Sequence, residues 1–180
     1  MDLLTGLTER RSIRHYTEQT VSQQEIQTIM ETARFAPSWK NSQTARYYAI
    51  LNPELKNQIA EQGTLNFSKN KYNIQNAPAL IVLTSIQNIS GYNPDGSFTT
   101  SKNTHWESFD AGIAAQTFCL SAYANGFGTL IMGIFDEQKI AEILGLPENE
   151  SVSALIALGH ADESPDAPTR HEPGEILKIF

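Results

Sequence analysis

The stretch "DAGIAAQTFCLSAYANGFGTLIMGIF", Asp110 to Phe135, decides how the rest of the chain must be arranged. From Asp110 to about Asn125 its residues are apolar around most of a helical circumference. A helix without a polar stripe is buried in a core or a subunit interface rather than laid on a surface. Gly126 suits the position just past its end, where a left-handed backbone closes the last turn. The apolar run 128–135 reads as a strand. Asp136 then caps a helix carrying Ile140, Ile143 and Leu144, which Gly145 stops.

Outward from this stretch the pattern is mostly helical. Asp2 caps a short opening helix with Leu3, Leu4 and Leu7. Ser22-Gln-Gln-Glu25 is a capping box, in which each side chain satisfies a free backbone donor of the other residue. Ile26, Ile29, Met30 and Ala33 follow at helical spacing, and Pro37 predicts an end near Ala36. "YYAIL" (47–51) reads as a strand, and Asn52-Pro53 opens a helix to about Gly63. "ALIVLT" (79–84) is the continuous apolar run expected of a strand covered on both faces, and "VSALIALG" (152–159) is a further strand. The polar stretch 87–107 reads as loop, although Tyr92, Phe98 and Trp106 make it more aromatic than a linker needs. The last 21 residues, "HADESPDAPTRHEPGEILKIF" (160–180), form a Pro- and Asp-rich arm ending in Ile176, Leu177, Ile179 and Phe180. Such an apolar tip docks, on its own core or on another subunit. One domain over 1–180 accounts for the whole pattern.

The totals exclude several classes. A net charge of −7 over 180 residues argues against nucleic acid as a partner. No run approaches the roughly 18 apolar residues of a membrane span, and the opening "MDLLTGLTERR" does not read as a signal peptide. A single cysteine rules out an internal disulfide, so the expected setting is the cytoplasm. His15, His105, His160 and His171 are scattered, so no metal is expected, and Cys119 reads as a small buried hydrophobe. No P-loop, nucleophile elbow or dinucleotide fingerprint occurs. No catalytic side chain is expected: an enzyme built on this sequence takes its reactive group from a cofactor.

Three polar features remain. "ERRSIRHY" (9–16) gathers Arg10, Arg11 and Arg14 around Ser12. It reads either as an anion site of guanidinium forks and a hydroxyl or as a solvated turn balanced by Glu9 and Glu18. "APSWKNSQTAR" (36–46) sets Pro37, Ser38, Trp39, Asn41 and Gln43 on a loop before a strand, which suits a ligand or a simple turn. A tryptophan there needs cover for its ring. Arg170 stands in the acidic arm and means little alone.

Taken in order, "ERRSIRHY", "APSWKNSQTARYYAI", "YANGFGTLIMGIFDEQKIAEILGLPE" and "ALIALGHADESPDAPTRHEP" resemble the nitroreductase family of FMN-dependent flavoproteins over nearly the whole chain. The resemblance implies an α+β, three-layer fold with a mostly antiparallel central sheet flanked by helices. It also implies an intertwined homodimer, with FMN at the interface and the arm 160–180 docked on the partner. It assigns Arg10, Arg11, Ser12 and Arg170 to the FMN phosphate and Arg14 to the pyrimidine end of the ring. Pro37, Ser38, Trp39 and Asn41 would come from the second subunit. Leu130, Ile131, Met132 and Gly133 would line the ring, and Asn70 would bind its polar edge. The implied activity is transfer of a hydride from NADH or NADPH through FMN to a small acceptor such as a nitroaromatic or quinone; a non-catalytic flavin-binding redox sensor is the alternative. Thr44 and Ala45 depart from the family's Pro-aromatic pair, and Met132 replaces a frequent acid.

Overall fold

In the computed structural model, which describes residues 2–180, four strands form one sheet. They are β1 (Ala45–Ile50), β2 (Ala79–Ile86), β3 (Gly128–Met132) and β4 (Glu150–Gly159), in the order β1-β2-β4-β3 with every pairing antiparallel. Helices cover both faces, so the α+β, three-layer expectation holds. On one face lie α2 (Gln23–Ala33) and the long α5 (His105–Ala124). On the other lie α3 (Pro53–Gln62), α4 (Ser68–Asn76) and α6 (Glu137–Leu144), while α1 (Leu3–Glu9) and α7 (Pro173–Ile176) stand near the chain ends.

Two cores follow from strand alternation. Ile81 and Leu83 of β2, with Ile156 and Leu158 of β4, pack against Ile29, Phe118 and Cys119. Leu80 and Val82, with Leu155 and Ala157, pack against Ile59, Ile74 and Ile140. β2 is therefore buried on both faces, as its apolar run predicts. A bulge interrupts the period: Leu83 pairs with Ala154 and Thr84 with Val152, so Ser153 is the extra residue. That shift sends Val152 and Ala154 to opposite cores although they are two residues apart.

Local signals hold at most boundaries. Asp2 caps α1, the Ser22–Glu25 box caps α2, Asn52 caps α3 and Asp136 caps α6. α5 is buried along Ala111, Ala114, Ala115, Phe118, Cys119 and Ala122. Other readings shift. The expected loop 87–107 gives its last residues to α5, which starts at His105, and its aromatics pair up: Tyr92 lies 4.9 Å from Phe98 and Trp106 lies 4.6 Å from Trp39. β3 ends at Met132 rather than Phe135, because the amide of Asn70 bonds the carbonyl of Ile134 at 2.9 Å and draws the chain away. α2 ends at Ala33, not Ala36, in a turn closed by the N–H groups of Phe35 and Ala36. α4 has no sequence signal, because two of its three buried residues are Asn70 and Asn73.

Candidate functional site

The arginine segment lies along the outer edge of β3. The N–H of Ile13 bonds the carbonyl of Thr129 at 2.9 Å, and Ser12 bridges Thr129 in parallel. Two glycines permit this approach. Gly128 and Gly159 face each other in the β3–β4 register. A Cβ on Gly128 would meet Ile13 at 2.7 Å, and one on Gly159 would meet Pro78 at 2.5 Å and Tyr16 at 2.8 Å.

The start of the arm then runs beside the same segment. Thr17 N–H bonds the carbonyl of His160 at 2.9 Å, Tyr16 bridges Ala161, and Asp162 N–H bonds the carbonyl of His15 at 3.0 Å. The carboxylate of Glu163 accepts from the N–H groups of Arg14 and, at 3.1 Å, His15. Burial acts to raise its pKa, but these two donors and the nearby charges hold it below the ordinary value. The phenol of Tyr16 bonds the carbonyl of Ile13 at 2.7 Å, and burial pushes its pKa well above the ordinary value.

Because the two segments are zipped together, the chain ends meet. A cavity of about 260 Å³ is lined by Arg10, Arg11, Ser12, Arg14, Pro165, Asp166, Pro168 and Arg170. Among the described residues none of these four arginines is in an ion pair. Arg11 is partly occupied: its Nη1 bonds the carbonyls of Thr8 at 2.8 Å and Arg10 at 3.0 Å, which satisfies the end of α1, while its buried Nε has no partner. Arg14 Nη1 bonds only the carbonyl of Ser12, at 3.2 Å. Asp166 lines the same cavity but pairs with none of the arginines, so a hydroxyl and four cations against one carboxylate suit a small dense anion such as a phosphate. The donor set fits that group.

The second polar loop is built differently. The N–H of Trp39 is held by buried Asp110 at 3.1 and 2.9 Å, and the hydroxyl of Ser90 donates to the same carboxylate at 2.6 Å. Ser90 in turn contacts the hydroxyls of Ser42 at 3.1 Å and Thr44 at 3.5 Å. Thr44, where the family pattern has proline, therefore belongs to an internal network. Ser38 Oγ accepts from Gln43 N–H at 2.9 Å, across a turn in which Lys40, Asn41 and Gln43 all take positive φ. The ring of Trp39 finds its cover in Trp106. Pro37 and Ser38 line a separate cavity of about 350 Å³ with Arg34, Gln43 and Arg46, sharing no residue with the arginine cavity. Asn41 stays exposed.

The remaining expected residues are not gathered at the arginine cavity. Leu130 and Met132 turn their side chains into the α3/α6 core, so they can offer only main-chain groups. Ile131 is 45% exposed and lines a third cavity, of about 400 Å³, with Glu107, Ser108 and Gly112. Gly133 is exposed, with open space where a Cβ would stand. Asn70 is buried and fixes the loop after β3. Sequence reasoning missed Glu163 and Asp110 as organisers. Glu163 accepts from His15, 148 positions away, and Asp110 from Trp39, 71 positions away, which no local pattern announces.

Residues 7–160 match the sequence profile described as the nitroreductase family. A Vibrio harveyi NADPH-flavin oxidoreductase is 29% identical over 89% of this chain, which spans 66% of that protein. An FMN reductase [NAD(P)H] of Bacillus subtilis is 28% identical over 93% of this chain and 69% of its own length. A protein of Exiguobacterium sibiricum solved in complex with FMN superposes with a TM-score of 0.84 at 23% identity, over 100% of this chain and 98% of that one.

Proposed function

This chain belongs to the nitroreductase family, and we propose that it is an FMN-dependent oxidoreductase using NADH or NADPH to reduce a small acceptor such as a nitroaromatic or quinone. The observation that carries the reading is the cavity in which Arg10, Ser12, Arg14 and Arg170 converge without carboxylate partners. Bound FMN supplies the redox chemistry, a two-electron exchange between donor and acceptor.

The protein's part is binding and electrostatics. Arg10, Ser12 and Arg170 hold the phosphate, with Arg11 bracing the segment from the end of α1. Arg14 places a positive charge toward the pyrimidine end, where it favours added electron density. The main chain of Leu130, Ile131, Met132 and Gly133 lines the ring, and Asn70 fixes their loop. Pro37, Ser38, Trp39 and Asn41 reach the ring from a second copy of the chain; in one chain Pro37 and Ser38 border a cavity of their own.

Exposed apolar groups support the dimer. Leu3, Leu4 and Leu7 of α1, Phe35, and the arm tip Ile176, Leu177, Ile179 and Phe180 have no cover within one chain. β1 pairs on one side only, and beside it lies a groove of about 820 Å³ lined by Ile26, Met30, Ile50, Leu51 and Leu55. The arm tip of a second copy is an apolar segment suited to such a surface. No helix among the described residues is long and apolar enough to cross a membrane, and the one cysteine, Cys119, is buried and free; a reducing, cytoplasmic setting suits it.

The test is to load the purified protein with FMN and add NADH or NADPH without oxygen. Bleaching of the yellow colour, and its return on adding a quinone, is expected. Colour that persists with both donors would favour a flavin-binding sensor instead.

A further inference from the structure

We propose that Glu163 is the positioning residue of the phosphate site: by holding the backbone of Arg14 and His15, it sets where the arm departs and so brings Arg170 over Arg10 and Ser12. This rests on the phosphate reading above. Glu163 spends one oxygen, Oε1, on both N–H groups, 148 and 149 residues away, and forms no ion pair with a guanidinium among the described residues. It therefore aligns the arginine segment without locking any of its side chains in an ion pair.

It is also the last anchor of the arm. The contacts Thr17–His160, Tyr16–Ala161 and Asp162–His15 end at Glu163. Beyond it, among the described residues, no residue from 164 to 171 makes a hydrogen bond to the body of the chain. Only Pro165 and Pro168, whose rings fix φ, stiffen the path to Arg170, and both line the cavity wall. A cation seven residues past the last tie is well placed only if that tie is fixed. Arg170's grip on a phosphate thus passes through Glu163.

The experiment compares FMN with riboflavin, which lacks the phosphate, in titrations of apoprotein. Wild type is expected to bind FMN more tightly than riboflavin. Glu163→Ala should shrink that ratio about 10-fold, and Glu163→Gln, which keeps an acceptor for both N–H groups but loses the charge that strengthens the bonds, about 3-fold. Arg170→Ala should weaken FMN in wild type yet cost little further in the Glu163→Ala background, the signature of two residues acting as a unit. Amide exchange at Arg14 and His15 should accelerate in the same variants. An unchanged FMN-to-riboflavin ratio, or an Arg170→Ala cost equal in both backgrounds, would overturn the proposal. If Glu163→Ala does not fold, Glu163→Gln carries the same cycle. Failure of the phosphate reading shows separately, as a wild type that does not distinguish the two flavins, and takes this proposal with it.

Discussion

The arginine cavity and the Trp39 loop are both polar, both sit between secondary elements, and are finished to different degrees. In the loop, Asp110, Ser90, Ser38 and Thr44 bond to one another and to the backbone, so its hydroxyls and carboxylate are spent around a turn with three residues at positive φ. In the cavity, the backbone is tied down by β3, His160 and Glu163, while the guanidinium groups remain without acidic partners. One region is a shaped surface whose hydroxyls and carboxylate are paired within its own chain, with the buried Trp39 Nε1 left without a partner among the described residues. The other is a charged receptacle whose four arginines form no ion pair among these residues, as the proposed phosphate site requires.

That contrast can be broken by experiment. The largest effect belongs to the cavity: Arg10→Ala with Arg170→Ala should weaken FMN more than 100-fold, since each charge-assisted bond contributes about 1.5–3 kcal/mol. Riboflavin affinity and folding should change little, which parallel titrations and a thermal melt would check. The loop should answer in the opposite manner. Asp110→Ala strands the Trp39 N–H and Ser90 hydroxyl, so a loss of about 1–3 kcal/mol of stability is expected in urea melts, with a shift in tryptophan emission. Should Asp110→Ala leave stability intact, the loop is not held by the Asp110 network.

The smallest effect is shared. Tyr47, stacked on Phe118 beside the loop and bonded to the carbonyl of Ala114, has its pKa pushed from 10.0 to about 12, mainly by burial. Tyr16, beside the arginine segment, is raised further for the same first reason. The unfolded chain releases these protons sooner than the folded one, so their contribution is intact below pH 10 and lost as pH rises toward 12. The loss through Tyr47 is at most ~2 kcal/mol, allowing for its partial exposure. Tyr47→Phe should flatten the alkaline decline in melting temperature.

Much of this was legible in the sequence where the signal is local. Asp2, Ser22, Asn52 and Asp136 announce helix starts because a cap acts within three residues. The apolar run of β2 announces burial on both faces. α4 was not legible, since its buried face is built from asparagines that serve the β3 loop rather than a hydrophobic stripe. The end of β3 differs for a related reason, as a side chain distant in sequence, Asn70, holds the carbonyl of Ile134 where the chain turns away. At the site, the residue types of the arginine cluster were visible and its meeting with Arg170 was an expectation from family resemblance. The parts that produce the meeting, Gly128 facing Gly159 and Glu163 clasping Arg14 and His15, are long-range and leave no pattern in a single sequence.

A crystal structure of the FMN complex tests the account most directly. The phosphate should lie between Arg10, Ser12 and Arg170 of one chain, within hydrogen-bond distance of each, with Trp39 of a second copy approaching the ring. A phosphate held elsewhere, with Arg170 out in solvent, would contradict it.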